Sequence, residues 1–121
     1  METHLHLIAS SLNLNKEIGD FKSFTASSII KLLEKEHDEH WLSQLRLQKA
    51  VHKKDREYQV WQEGSHPQQI YSDDMMRQKI DYIHNNPIRK GFVEDQVKWL
   101  YSSATNYEGL PSLLEVKTDW N

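Results

Sequence analysis

The sequence of 121 residues contains no cysteine. This absence excludes disulfides, zinc sites built on thiolates and catalysis by a thiol, and it is compatible with a cytoplasmic protein. No apolar run approaches the length of a membrane span, and the N-terminus lacks a basic segment followed by an apolar core. We therefore predict a cytoplasmic protein without a secretion signal and without a membrane partner.

Hydrophobic residues are scarce, at 37% of the chain, while charged residues make up 27%. A chain of this length forms one domain around one core. The low apolar fraction predicts that this core is thin and that the domain depends on self-association. The last dozen residues, 110–121, are expected to form a loose tail after a domain of residues 1–109.

The chain also lacks an excess of positive charge, because its net charge is −3. This value argues against a protein that coats nucleic acid, since such binding comes from many Lys and Arg side chains that neutralise phosphates. Five basic residues nevertheless fall close together with a single acid, Asp55, among them. They predict a local phosphate contact or, alternatively, a solvated helix face. This basic cluster consists of Arg46, Lys49, Lys53, Lys54 and Arg56.

Two histidines alternate with leucines near the start of the chain, from Thr3 to Ala9. Alternation with a period of two predicts a β-strand with His4 and His6 on one face. With a third ligand, two adjacent imidazoles can hold a divalent metal ion. A solvated pair of histidines is the structural alternative.

The rest of the chain alternates between helical patterns and one further strand. We predict helices over residues 15–36 and 38–53, a strand over residues 57–62, and a helix that Ser72 caps. The first helix is expected to bury Ile18, Phe21, Thr25, Ile29 and Leu32, the second to turn Trp41 and Leu45 inward, and Trp61 to cover the sheet.

The helix after Ser72 carries the most informative stretch, which extends from Asp81 to Gly91. Pro87 predicts that the helix stops at Asn86, since a residue before proline is disfavoured in the α region. Tyr82 lies four residues before Asn86, so both side chains project from nearly the same helix face. The tyrosine is a candidate nucleophile, while ordinary packing of a half-exposed tyrosine is the alternative.

Five motifs occur in one order along the chain: His-Leu-His, Phe-Lys-x-Phe-Thr, Tyr-Gln-x-Trp-Gln-Glu-Gly, Tyr-Ile-His-Asn-Asn-Pro-Ile-Arg-Lys-Gly and Trp-x-Tyr-Ser-Ser-Ala-x-Asn-Tyr. Together they resemble the single-tyrosine HUH transposases, in the branch of the REP-associated tyrosine transposases. The resemblance extends from Thr3 to Gly109. It implies an α+β fold in which a small antiparallel sheet, containing the histidine strand, is packed by helices in the ferredoxin-like HUH manner.

The resemblance also implies roles for individual residues. His4 and His6 match the histidine pair that binds Mg²⁺ or Mn²⁺, Asn86 matches the third ligand, and Tyr82 matches the nucleophile. Such enzymes cleave and rejoin single-stranded DNA hairpins through a 5′-phosphotyrosine, usually as homodimers. The basic cluster would then contact the hairpin, and His84 is one candidate for accepting the tyrosine proton.

The start of this sequence departs from the family pattern. In relatives, a strand, a helix and a further strand precede the histidine pair, so the resemblance predicts that this chain is truncated at its N-terminus. A non-catalytic remnant that only binds DNA hairpins is therefore the alternative function. An unrelated metal hydrolase that uses the same histidines, with water as the nucleophile, is a third possibility.

Overall fold

The computed structural model describes residues 3–120, and in this range all regular secondary structure is helical. Its elements are α1 (Leu14–Lys35), α2 (Glu39–Leu47), α3 (Asp73–Arg89), a single 3-10 turn (Gln96–Lys98) and the short α4 (Ala104–Tyr107). No residue from 3 to 120 belongs to a β-strand. The predicted α+β fold with an antiparallel ferredoxin-like sheet is therefore wrong for this part of the chain.

The two predicted strands fail because neither has a partner strand. Within the described range, no backbone–backbone hydrogen bond involves residues 3–11. In the second segment, the N–H of Gln59 donates to the carbonyl of Leu45 in α2 (3.2 Å). Alternating side chains predict a strand only if a neighbouring strand supplies the ladder of hydrogen bonds, and that neighbour is missing from the described residues.

The structured residues divide into two compact units, which are described separately. One unit comprises residues 8–67, with α1 and α2. The other comprises residues 3–7 together with residues 68–120, and it contains α3, the 3-10 turn and α4.

In the first of these units, α1 matches its predicted bounds to within one residue at each end, but its predicted burial is wrong. None of its residues is buried; Ile18 and Thr25 are half-buried, while Phe21, Ile29 and Leu32 are exposed. Little of the α1 surface is buried because the segment after α2, and not a sheet, packs on this helix. The Trp61 indole N–H donates to Thr25 Oγ1 (2.9 Å), and its ring lies 5.9 Å from that of Phe21.

The second helix, α2, is shorter than predicted and has a different inward face. The Asp38 side chain accepts from the N–H of Trp41 (3.2 Å) and caps its start. Leu42 is its buried residue, while Trp41, predicted to point inward, is half exposed to solvent. The helix ends at Leu47. After it, the N–H of Ala50 donates to Gln59 Oε1 and Lys49 Nζ donates to the Lys53 carbonyl.

In the other unit, α3 begins as predicted but continues beyond its predicted end. Ser72 accepts from the N–H of Met75 (3.2 Å), which confirms the cap. The helix passes through Pro87 and ends two residues later; the proline removes one intrahelical donor, and burial of its ring offsets this loss. Gly91, with φ 77°, then ends α3, as the N–H of Phe92 donates to the carbonyl of Pro87 (3.0 Å).

The chain after Gly91 returns to pack on α3. Ala104 is completely buried, and the Phe92 ring stacks on Trp99 at 5.3 Å. Residues beyond α4 contact it as well: Asn106 Nδ2 donates to the Leu114 carbonyl (2.7 Å). The division into a domain of residues 1–109 and a tail of residues 110–121 stays a prediction. Across residues 3–120, no helix has both the length and the apolar character needed to cross a membrane.

Candidate functional site

Two side chains on α3 form the centre of the site. Tyr82 and Asn86 lie one helical turn apart, as the sequence predicts, but their exposure differs. Tyr82 is 48% exposed, whereas Asn86 is only 7% exposed. The phenol of Tyr82 thus lies at the surface, one helical turn from a buried amide.

His6 reaches these two residues from the other end of the sequence. Its Nε2 lies 3.4 Å from Asn86 Nδ2, and its ring meets the ring of Tyr82 edge to face, with centroids 5.7 Å apart. All three residues belong to the same compact unit. The structure therefore brings together a histidine, a tyrosine and an amide that are separated by up to 80 positions in sequence.

The electrostatics of His6 favour a neutral ring. Partial burial and, after it, the nearby charge of His4 lower the pKa of His6. A neutral imidazole accepts at one nitrogen, so Nε2 can accept from the Asn86 amide or donate its lone pair to a metal ion. A half-turn of the Asn86 amide would present Oδ1 to the same point in space.

His4, the other predicted ligand, is less well placed. It is exposed, and its Nδ1 shares a hydrogen bond with the hydroxyl of Thr3 (2.9 Å). Throughout residues 3–120, no three side chains of the His, Cys, Asp or Glu type come together in a group that could hold a metal ion. A divalent ion at this site would depend on His6 and the Asn86 oxygen, with His4 as a third donor two residues along the same extended segment. Two nitrogens and one oxygen fit Mn²⁺ better than Mg²⁺, which prefers oxygen ligands.

Tyr82 also faces Arg89, which the sequence interpretation did not connect with it. The guanidinium carbon lies 5.9 Å from the centre of the Tyr82 ring. A shallow surface cavity of about 300 Å³, open to solvent, adjoins this pair. Its lining residues all belong to α3 and are Gln78, Asp81, Tyr82, Asn85 and Arg89. The sequence did contain a signal for this contact, since Tyr82 and Arg89 are seven residues, or two helical turns, apart. The signal was missed because the helix was expected to stop before Pro87.

His84 lies away from Tyr82 and belongs to the packing of α3. Its Nε2 is 2.9 Å from Ser103 Oγ, and its ring lies 5.1 Å from that of Tyr107. The side chain is 5% exposed, and burial lowers its pKa. The structure gives no support to the expectation that His84 accepts the proton of Tyr82. Ser103 had no sequence signal that linked it to α3.

The predicted DNA-contacting residues lie in the other unit, in α2 and the turns after it. Most of them already have partners. Arg46 pairs with Glu57 (2.9 Å), Lys53 pairs with Glu63 (3.0 Å) and Arg56 pairs with Asp55 (3.1 Å). The basic cluster is therefore not a continuous helix face, and three of its charges are offset locally.

Comparison of the chain with protein-family models, with curated proteins and with solved structures finds no match. The resemblance to the single-tyrosine HUH transposases thus stays a prediction that depends on the motifs alone.

Proposed function

We propose that this protein cleaves and rejoins single-stranded, hairpin-bearing DNA, as a transposase does, with Tyr82 as the nucleophile. The observation that supports this proposal is the meeting of His6, Tyr82 and Asn86 within one compact unit. An exposed phenol beside a neutral imidazole and an amide has the groups required for attack on a phosphodiester.

The proposed reaction is a transesterification, in which one phosphate ester bond forms as another breaks. The Tyr82 oxygen attacks phosphorus, a new bond forms between them, and the bond from phosphorus to the 3′-oxygen breaks. The phenolic proton is lost and the departing 3′-oxygen gains one, which leaves a 5′-phosphotyrosine and a free 3′-hydroxyl. Because the bond is retained as an ester, the 3′-hydroxyl of another strand can reverse the step without ATP.

His4, His6 and Asn86 would hold the divalent ion, Mg²⁺ or Mn²⁺. When bound, it would supply positive charge to the non-bridging oxygens of the scissile phosphate. The contact between the His6 and Tyr82 rings, which meet edge to face at 5.7 Å, would orient the phenol.

The proposed partners are a DNA hairpin and a second copy of the chain. Hairpin contact through the basic cluster would require Arg46, Lys53 and Arg56 to exchange carboxylate partners for phosphates, whereas Lys54 would contact them directly. The cytoplasmic location stays a prediction that depends on the cysteine-free sequence.

A covalent-adduct assay tests the proposal. The protein is incubated with Mn²⁺ and a pool of single-stranded hairpins with randomised flanking nucleotides, labelled at the 3′ end, and analysed on a denaturing gel. A 5′-phosphotyrosine retains the 3′ fragment, so the label is expected to migrate with the protein. In Tyr82→Phe the labelled protein band should disappear.

Tyr71→Phe is the matched control, because Tyr71 is an exposed tyrosine outside the site. Its adduct should equal that of the wild type. A pool labelled at the 5′ end should instead yield shortened free strands. If the wild type forms no adduct with any member of the pool, the protein is not this enzyme.

One observation favours the alternative of a non-catalytic hairpin-binding remnant. The histidine segment has no strand partner within the described residues, so no ladder of hydrogen bonds holds His4 and His6. Under this alternative, hairpins bind in a salt-sensitive manner but no labelled protein band forms.

A further inference from the structure

Arg89 differs from the other arginines of the described chain in its partners. Arg46, Arg56 and Arg77 each contact a carboxylate within 3.3 Å. Within residues 3–120, Arg89 makes neither a hydrogen bond nor an ion pair to another side chain. Its guanidinium instead lies over the ring of Tyr82, at 5.9 Å from the centroid.

The position of Arg89 follows from the continuation of α3 through Pro87. If the helix ended at Asn86, Arg89 would lie outside it. Because α3 extends to Arg89, residues 82 and 89 are two turns apart and share one face. The contact with the aromatic ring holds the guanidinium beside the phenol without using its N–H donors.

We propose that Arg89 binds a phosphodiester of single-stranded DNA in the cavity beside Tyr82. A guanidinium presents a planar fork of donors that matches two phosphate oxygens, and it loses less hydration than an ammonium group on doing so. The cavity is open to solvent, so a phosphodiester of an extended strand can reach Arg89 there, and the amides of Gln78 and Asn85 lie beside it on the same helix.

Asp81 lines the same cavity and limits the negative charge that a ligand can carry there. Its carboxylate opposes Arg89, so the cavity has little net charge and disfavours a doubly charged free phosphate. A phosphodiester carries a single negative charge. The site is therefore expected to select a linkage within a strand over inorganic phosphate. The proposed function identifies the strand as DNA, and in this respect the inference rests on it.

Nuclear magnetic resonance of the full chain tests the inference without requiring catalysis. The probes are a hexamer of deoxythymidine, the same hexamer with neutral methylphosphonate linkages, and inorganic phosphate. The hexamer is expected to shift the Arg89 Nε and Tyr82 ring signals, whereas the other two probes should bind at least about tenfold more weakly, since a charged hydrogen bond is lost or opposed.

Two variants separate the role of Arg89 from a general loss of structure. Arg89→Gln keeps a long polar side chain, and Arg89→Ala removes it; both should bind the hexamer at least about tenfold more weakly, with unchanged amide signals in the rest of α3. Arg77→Ala, which removes an arginine that is paired with Asp74, should bind as the wild type does. The inference is overturned if Arg89→Gln binds like the wild type, or if the methylphosphonate hexamer or inorganic phosphate binds as tightly as the charged hexamer.

The adduct assay distinguishes failure of this inference from failure of the proposed function. Hexamer binding that requires Arg89, without any adduct at Tyr82, would support the phosphodiester site and contradict the transposase. An adduct that forms equally well in Arg89→Gln would support the transposase and contradict this role of Arg89.

Discussion

Asn86 is a polar side chain in a nearly buried position, and such groups require a hydrogen-bonding partner. Its partner is His6, at 3.4 Å, which is long for a good hydrogen bond. The divalent ion of the proposed function would take the imidazole nitrogen and the amide oxygen as ligands.

The pair of His6 and Asn86 predicts that the chain binds Mn²⁺. Mn²⁺ titrated into the wild-type chain is expected to bind at one site, measured by calorimetry without DNA. His6→Ala and Asn86→Ala should each weaken binding by at least about tenfold, because each removes a proposed ligand. His4→Ala tests the third ligand.

His66→Ala is the matched control, because His66 is an exposed histidine in an irregular segment of the other unit. It should leave Mn²⁺ binding unchanged. Equal binding by the wild type and His6→Ala would exclude the proposed site.

The pair of His84 and Ser103 predicts an effect on stability. Ser103→Ala removes the hydroxyl that lies 2.9 Å from the buried His84 Nε2, so a polar group loses its partner. The free energy of unfolding should fall by about 1–3 kcal/mol, measured by urea denaturation. Ser65→Ala, at an exposed position whose side chain makes no hydrogen bond among the described residues, should change it by less than about 0.5 kcal/mol. Equal effects would show that the hydrogen bond has no structural role.

At the scale of the elements, two glycines have opposite requirements. Gly19 lies inside α1, whereas Gly91 ends α3 with φ 77°. No atom lies within 4 Å of a Cβ added at either glycine, so packing does not decide the outcome. The backbone conformation at each glycine therefore determines the effect of a substitution there.

Substitution by alanine should therefore change stability in opposite directions. Gly19→Ala is expected to stabilise α1 by about 1 kcal/mol, because alanine is the better helix former. Gly91→Ala should destabilise the end of α3 by about 1–2 kcal/mol, since an L-residue is strained in the left-handed region. Hydrogen exchange of the amides in α1 and α3 measures each effect locally. Changes of the same sign would contradict the assigned backbone conformations.

At the scale of the whole molecule, α1 leaves much apolar surface without cover. Phe24 is 73% exposed and Leu32 is 52% exposed on this helix. Exposed apolar side chains on one helix are typical of an interaction site. It is compatible with the proposed homodimer, for which a second copy would cover α1.

Sedimentation at several protein concentrations tests self-association. The wild type is expected to associate, and Phe24→Glu should weaken association by about tenfold or more, because a charge would be buried at the interface. Ser23→Glu introduces the same charge about 100° around α1 from Phe24 and about 180° from Leu32, and it should leave association unchanged. A wild type that remains monomeric at all concentrations would exclude the dimer.

The sequence by itself determined the local features of this protein. The apolar pattern predicts α1, the Ser72 cap predicts the start of α3, and a spacing of four residues places Tyr82 and Asn86 on one face. These features depend on neighbours along the chain, whose geometry is fixed by the helical period and by capping hydrogen bonds.

Only the tertiary structure decided the features that depend on distant residues. A strand needs a partner, so alternation at His4 and His6 did not produce a sheet among the described residues. Pro87 continues a helix because the surrounding residues bury its ring, and this continuation places Arg89 beside Tyr82. At the histidine segment the lack of a hydrogen-bond ladder within residues 3–120 decides against a strand, and at Pro87 the burial of the ring offsets the poor helix propensity of proline.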